Sequence, residues 1–162
     1  MTRPPPFLAA RQQTARQARL QNIQHNRHMI GQYDAVEMTE RAALAAFKGG
    51  WATGEHWNHL AECRNVLMFG ACHKIAVAHV KADHEAVREV TRLAMAAISA
   101  IRDREQKTGK FGCTAEELNV LHALVETSRD FWTRQPATLF NQCVDAVRKQ
   151  VMKTIQAKGV RA

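Results

Sequence analysis

DHEAVREVTRLAMAAISAIRDREQKTG, residues 83–109, decides the fold class. Val87, Val90, Ala94, Ile98 and Ile101 recur at intervals of three and four, so a helix of 3.6 residues per turn puts them on one face. This is the cleanest amphipathic stripe in the chain, and Thr108-Gly109 marks its stop. Beyond the loop Lys110-Phe111-Gly112-Cys113, Thr114 and Glu117 have the spacing of a capping box. The helix they open is expected to bury Leu118, Leu121, Val125 and Trp132. Pro136 then sits where a first-turn proline belongs, and Phe140, Val144, Val147, Val151 and Ile155 form a last core stripe before Gly159.

The same reading runs toward the amino end. Thr53 is expected to cap a helix whose stripe is Trp57, Leu60, Ala61, Leu67 and Met68. At Gly70 that helix either bends or runs on through Ile75, Ala76 and Val80. Asp34 with Glu37 reads as another capping box, opening a helix that buries Val36, Ala43, Leu44 and Phe47 and stops at Gly49-Gly50. Ala, Leu, Gln, Arg and Glu dominate, and no apolar alternation of strand type runs through the chain. The expected fold is all-α, a helical bundle of five or six helices over residues 33–162, large enough to hold its core without staples.

Residues 1–32 read differently. Pro4-Pro5-Pro6 forces an extended start, and the good helix formers that follow carry few apolar positions beyond Leu20, Ile23 and Ile30. This is expected to be a basic N-terminal arm, helical when docked on a partner or on the body. The first acidic residue is Asp34, so Arg3, Arg11, Arg16, Arg19 and Arg27 have no counter-charge ahead of it. Arg148, Lys149, Lys153, Lys158 and Arg161 stand against Asp145 alone in the last nineteen residues. The two ends thus carry +5 and +4 and the middle −1, within a net charge of +8. Such segregation points to an acidic partner: nucleic acid, an acidic protein face or a membrane surface.

No apolar run matches a secretory signal or approaches the roughly 20 residues of a membrane span. The acid-free, Arg-rich start resembles a transit peptide in charge, but it lacks serine and is rich in glutamine. Cys63, Cys72, Cys113 and Cys143 are irregularly spaced, which reads as reduced thiols in a cytosol.

The histidines and cysteines invite two chemical hypotheses. On a regular helix His56, His59 and Cys63 share a face, yet positions seven apart lie about 10.5 Å apart along the axis, too far to hold one ion. His59 and Cys63, four apart, are the only candidate chelating pair, and further ligands from Cys72, His73 or His79 match no zinc pattern. Neither a metal nor any other cofactor is expected. Cys72 and His73 are adjacent and diverge on a helix, so they cannot pair. Cys113, just ahead of a helix start, is the thiol whose setting could lower its pKa. Without a G-x-S-x-G, a phosphate-binding Gly-rich loop or a dinucleotide fingerprint, no enzymatic activity is expected. His122 shares a face with Leu118, Leu121 and Val125 and reads as a core or rim histidine. Trp51, Trp57 and Trp132 read as core anchors rather than stacking platforms, although Trp51, in a Gly-flanked loop, would be an interface anchor if exposed.

Two stretches carry a resemblance: AAFKGGWATGEHWNHLAECRNV (residues 45–66) and RDREQKTGKFGCTAEELNVLHAL (residues 102–124). The first has an Ala-Phe, a Gly turn, a Thr-Gly, and a Trp with an Asn eight residues on; the second has a Thr-Gly turn, a capping box and a Glu-Leu. Together they resemble a loosely defined group of small helical proteins encoded by bacteriophages and other mobile elements. The His-rich segment 72–84 and Phe131-Trp132 depart from that group. The resemblance implies a bacterial host cytosol and an accessory role, and carries over no functional residues. The expectation is therefore a non-enzymatic accessory protein that binds and modulates a host or defence protein complex. Arg11, Arg16, Arg19, Arg27, Arg148, Lys149 and Lys153 would be its electrostatic contacts and Trp51 its anchor. The alternative is a nucleic-acid-binding accessory or regulatory protein that uses the basic ends, although no aromatic residue interleaves with the arm's arginines after Phe7.

Overall fold

The computed structural model describes residues 33–72, 81–135 and 137–159. Those residues form five helices and no strand, an all-α helical bundle. α1 covers residues 33–49, α2 Gly54–Cys72, α3 Lys81–Thr108, α4 Ala115–Trp132 and α5 Ala137–Gly159. The arm, with Arg11, Arg16, Arg19 and Arg27, lies outside the described residues, as do Ile75, Ala76, Val80, Pro136, Arg161 and the side chains of Ile155 and Lys158.

α2 is the hub: it packs against α3, α4 and α5, and α3 also packs against α4. Two apolar clusters fill the bundle. One joins Ala43, Leu44 and Phe47 of α1 to Leu60, Ile98, Ile101, Leu121 and Val125. The other gathers Val66, Leu67, Val87, Leu124, Phe131, Trp132, Leu139, Phe140 and Val147, with Tyr33 on the α1 side. Trp132 is its centrepiece, edge to face with Phe131 at 4.8 Å and with Phe140 at 5.0 Å between ring centroids. Gly70 makes this possible, since a Cβ there would lie 2.5 Å from the Trp132 ring. The glycine lets indole and helix backbone touch, and α2 runs on through it to Cys72.

The helix ends follow from their local sequences. α1 closes in a Schellman motif: Trp51 N–H donates to the Ala46 carbonyl and Gly50 N–H to that of Phe47, with Gly50 at φ +74°. α3 ends similarly, Gly109 at φ +71° donating to Glu105 at 2.7 Å. At the start of α4 the Thr114 hydroxyl accepts from Glu117 N–H, and the Glu117 carboxylate accepts from Thr114 N–H. Arg104 of α3 clasps the same carboxylate through both terminal nitrogens, at 3.0 and 2.8 Å, and also donates to the Gly112 carbonyl.

Four expectations need correction. Asp34 is no N-cap, because residues 33 and 34 are already helical; Glu37 turns instead to Arg41 at 2.7 Å and Arg129 at 3.6 Å, tying α1 to α4. His122 is exposed, because the buried face of α4 runs through Leu121, Leu124, Val125 and Ser128. The α5 stripe leaves the core after Val147, and Val151 is exposed because the buried face has turned to Leu139, Phe140, Cys143 and Val147. Around Cys113 the electrostatics run the other way: burial first, then the charge of Glu117, push its thiol pKa up despite Arg104. It is no activated nucleophile.

Candidate functional site: a buried carboxyl and an exposed tryptophan

Two features on the α1–α2 side of the bundle carry chemistry. The first is a cavity of about 400 Å3 among α1, α2, α4 and α5. Val36, Val66, Trp132, Phe140 and Val144 supply apolar wall, while Glu40, Cys63 and Ser128 supply polar floor. Thr39, His59, Glu62, Asn141 and Arg148 complete the lining with side chains that are half-buried or exposed.

The floor is a string of buried polar groups. The Tyr33 hydroxyl donates to Ser128 Oγ at 3.1 Å, and the Cys63 thiol interacts with both Ser128 and Glu40. Glu40 is only 4% exposed, and its Oε2 has no hydrogen-bond partner. Burial, with help from the charges of Glu37 and Glu62, pushes its carboxyl up to about 7, against the opposing Cys63 hydrogen bond and Arg41. Burial and the Glu40 charge likewise hold the Cys63 thiol well above its ordinary range, so it is a protonated donor on this floor.

Of the candidate chelating pair, Cys63 belongs to the floor and His59 lines the same cavity, with its Nε2 3.8 Å from Glu55 Oε1. Among the described residues no group of three or more His, Cys, Asp or Glu side chains is placed to hold a metal ion. The basic residues of α5 are also divided. Arg148 pairs with Glu62 at 3.2 Å across to α2, so its charge is engaged, whereas Lys149 and Lys153 are exposed.

The second feature is Trp51, 58% exposed at the corner between α1 and α2. Its indole lies over Gly49, where a Cβ would meet Nε1 at 2.4 Å, and meets the His56 ring edge to face at 5.1 Å. His56 is itself fixed, its Nδ1 accepting from Thr53 N–H at 3.1 Å at the start of α2. His56 also borders a shallow depression with Met38, Thr39, Ala42, Glu55 and His59, and Met38 is 73% exposed. Trp51 therefore stands, through His56, beside a depression of mixed polarity. Thr39 and His59 border both this depression and the cavity, so the two features adjoin.

Trp51 was legible as a candidate from its glycine-flanked loop; Glu40, Ser128 and Tyr33 were not singled out, and Cys63 was named only as a chelating partner for His59. A signal existed. Glu40 lies at helical spacing from Val36, Ala43, Leu44 and Phe47, and Ser128 lies at helical spacing from Leu121, Leu124, Val125 and Trp132. A charged or polar side chain on an apolar stripe marks a group that folding buries.

Comparison with known protein families, curated proteins and solved structures finds no significant match. Among the described residues no helix is long and apolar enough to cross a membrane.

Proposed function

We propose that this chain is a non-enzymatic accessory protein that binds and modulates another protein through the Trp51 face, with its basic ends steering the encounter. Trp51 is the observation that supports the reading most directly. A large aromatic side chain left mostly in water, yet held in one place by Gly49 and His56, has little conformational freedom left to lose on binding. Tryptophan is also the residue type most enriched among interface hot spots, where truncation costs about 2 kcal/mol or more. Lys149 and Lys153, exposed on α5, together with the charge of the arm, favour an acidic face on the partner. The resemblance to phage and mobile-element proteins suggests a host or defence protein complex in a bacterial cytosol as that partner. A mimic of nucleic acid would be acidic, and a net charge of +8 argues against that route.

The test is affinity capture from bacterial lysate with the tagged full chain, with and without nuclease, beside the Trp51→Ala variant. A protein partner that survives nuclease and is lost with Trp51→Ala is the expected result. Loss of every partner after nuclease would overturn the proposal in favour of direct nucleic-acid binding.

A further inference from the structure

We propose that the cavity floored by Glu40 is a binding site for a small organic cation, an ammonium group carried on an apolar body. The inference does not depend on the Trp51 face. It starts from the unpartnered carboxyl oxygen. A buried acceptor without a donor costs about 1–3 kcal/mol, and more when charged, so folds rarely retain one without use. Glu40 lines a cavity within the size class of small-ligand sites, about 300–1,000 Å3, although that oxygen is itself covered. Rotation about the terminal bond of a glutamate is soft, so either oxygen can turn to an arriving donor.

Charge and wall chemistry then select the ligand. Glu40 and Glu62 disfavour an anion, and Arg148 is held by Glu62. A wholly apolar guest would seal the carboxyl away without supplying a donor. An ammonium group supplies both the donor and the countercharge, and its attraction is strongest in a site shielded from water. Val36, Val66 and Val144 with the Trp132 and Phe140 rings supply the surface for an apolar body. The groups that act on the Glu40 charge are Glu37 and Arg41 on α1 and Glu62 and Cys63 on α2, and Tyr33 on α1 feels that charge in turn. His59 on α2, Ser128 on α4, and Asn141 and Arg148 on α5 line the same cavity. Because the Glu40 carboxyl titrates at about 7, an ammonium ligand must displace its proton at lower pH. The competent ionised fraction rises about tenfold from pH 6 to pH 8, and apparent affinity should rise with it.

Isothermal titration of the full chain tests this with phenethylamine, its anionic counterpart 3-phenylpropionate and neutral 2-phenylethanol. At pH 8 phenethylamine should bind one to one, at least tenfold tighter than either analogue, and about tenfold more weakly at pH 6. Glu40→Gln should lose tenfold or more of the phenethylamine affinity while keeping the wild-type circular dichroism spectrum. Val144→Phe, which narrows the cavity without touching the carboxyl, should weaken all the probes that bind and serves if Glu40→Gln does not fold. Absence of phenethylamine binding at millimolar concentration, equal binding of 3-phenylpropionate, or undiminished binding to Glu40→Gln or, should that variant not fold, to Val144→Phe would overturn the proposal.

Discussion

Glu40 occupies a core position on α1, one turn before Ala43 and Leu44, and its chemistry dominates the residue scale. The unfolded chain ionises this carboxyl near 4.5 and the folded chain near 7. Between those values the native state holds the extra proton, so the stability it contributes is full below pH 4.5 and is lost as pH rises through 7. The whole span is worth roughly 3 kcal/mol. Glu40→Gln should therefore change stability little near pH 4.5 and raise it by about 1–3 kcal/mol at pH 8, read from urea midpoints at both values. A difference independent of pH would show that the carboxyl is not buried as described. Gly70 makes the opposite case, where one added methyl should hurt. Its virtual Cβ also lies 2.9 and 3.0 Å from atoms of Trp132 and Phe131, two rings fixed by packing. Gly70→Ala should cost about 1–3 kcal/mol through overpacking, despite the better helix propensity of alanine. A thermal transition at or above the wild-type value would contradict that packing. Gly70 was legible as an irregularity in a helix but not as a seat for Trp132, because the ring comes from sixty-two positions away.

Among the elements, α3 and α4 were read most fully from sequence. The α3 stripe is buried at Val87, Ala94, Ile98 and Ile101, and Val90 packs against it. Fully buried Thr91 escaped that pattern because its hydroxyl is satisfied inside the helix, donating to the Val87 and Arg88 carbonyls at 2.9 Å. The Thr114–Glu117 box was legible because capping depends on local spacing; its extension to Arg104 was not, because that contact crosses helices. Thr114→Ala should cost about 0.5–2 kcal/mol in denaturant stability. The Arg104 clasp, with the box, holds the Glu117 carboxyl below its ordinary range, so this contribution is present above the unfolded pKa and fades as pH falls. An unchanged Thr114→Ala midpoint at neutral pH would remove the cap from the account. α5 was read less well. Apolar residues at a four-residue spacing predict a stripe, but only a partner element buries it, and beyond Val147 the described bundle supplies none to Val151.

For the whole molecule, the sequence shows the charge segregation and the structure divides its carboxyl-terminal part by use. Arg148 braces α5 on α2, whereas Lys149 and Lys153 remain exposed and able to steer a partner. Steering and anchoring separate kinetically. Lys149→Glu with Lys153→Glu should mainly slow association, with a smaller effect at high salt, whereas Trp51→Ala should mainly speed dissociation. Interferometry on the captured partner at two salt concentrations reads both rates. The central claim, that Trp51 anchors the protein to its partner, is tested most directly by the equilibrium dissociation constant of that partner for the wild type and for Trp51→Ala at matched salt. The account predicts affinity weaker by about 30-fold or more with the thermal transition of the free protein nearly unchanged. A dissociation constant within twofold of the wild type would contradict it.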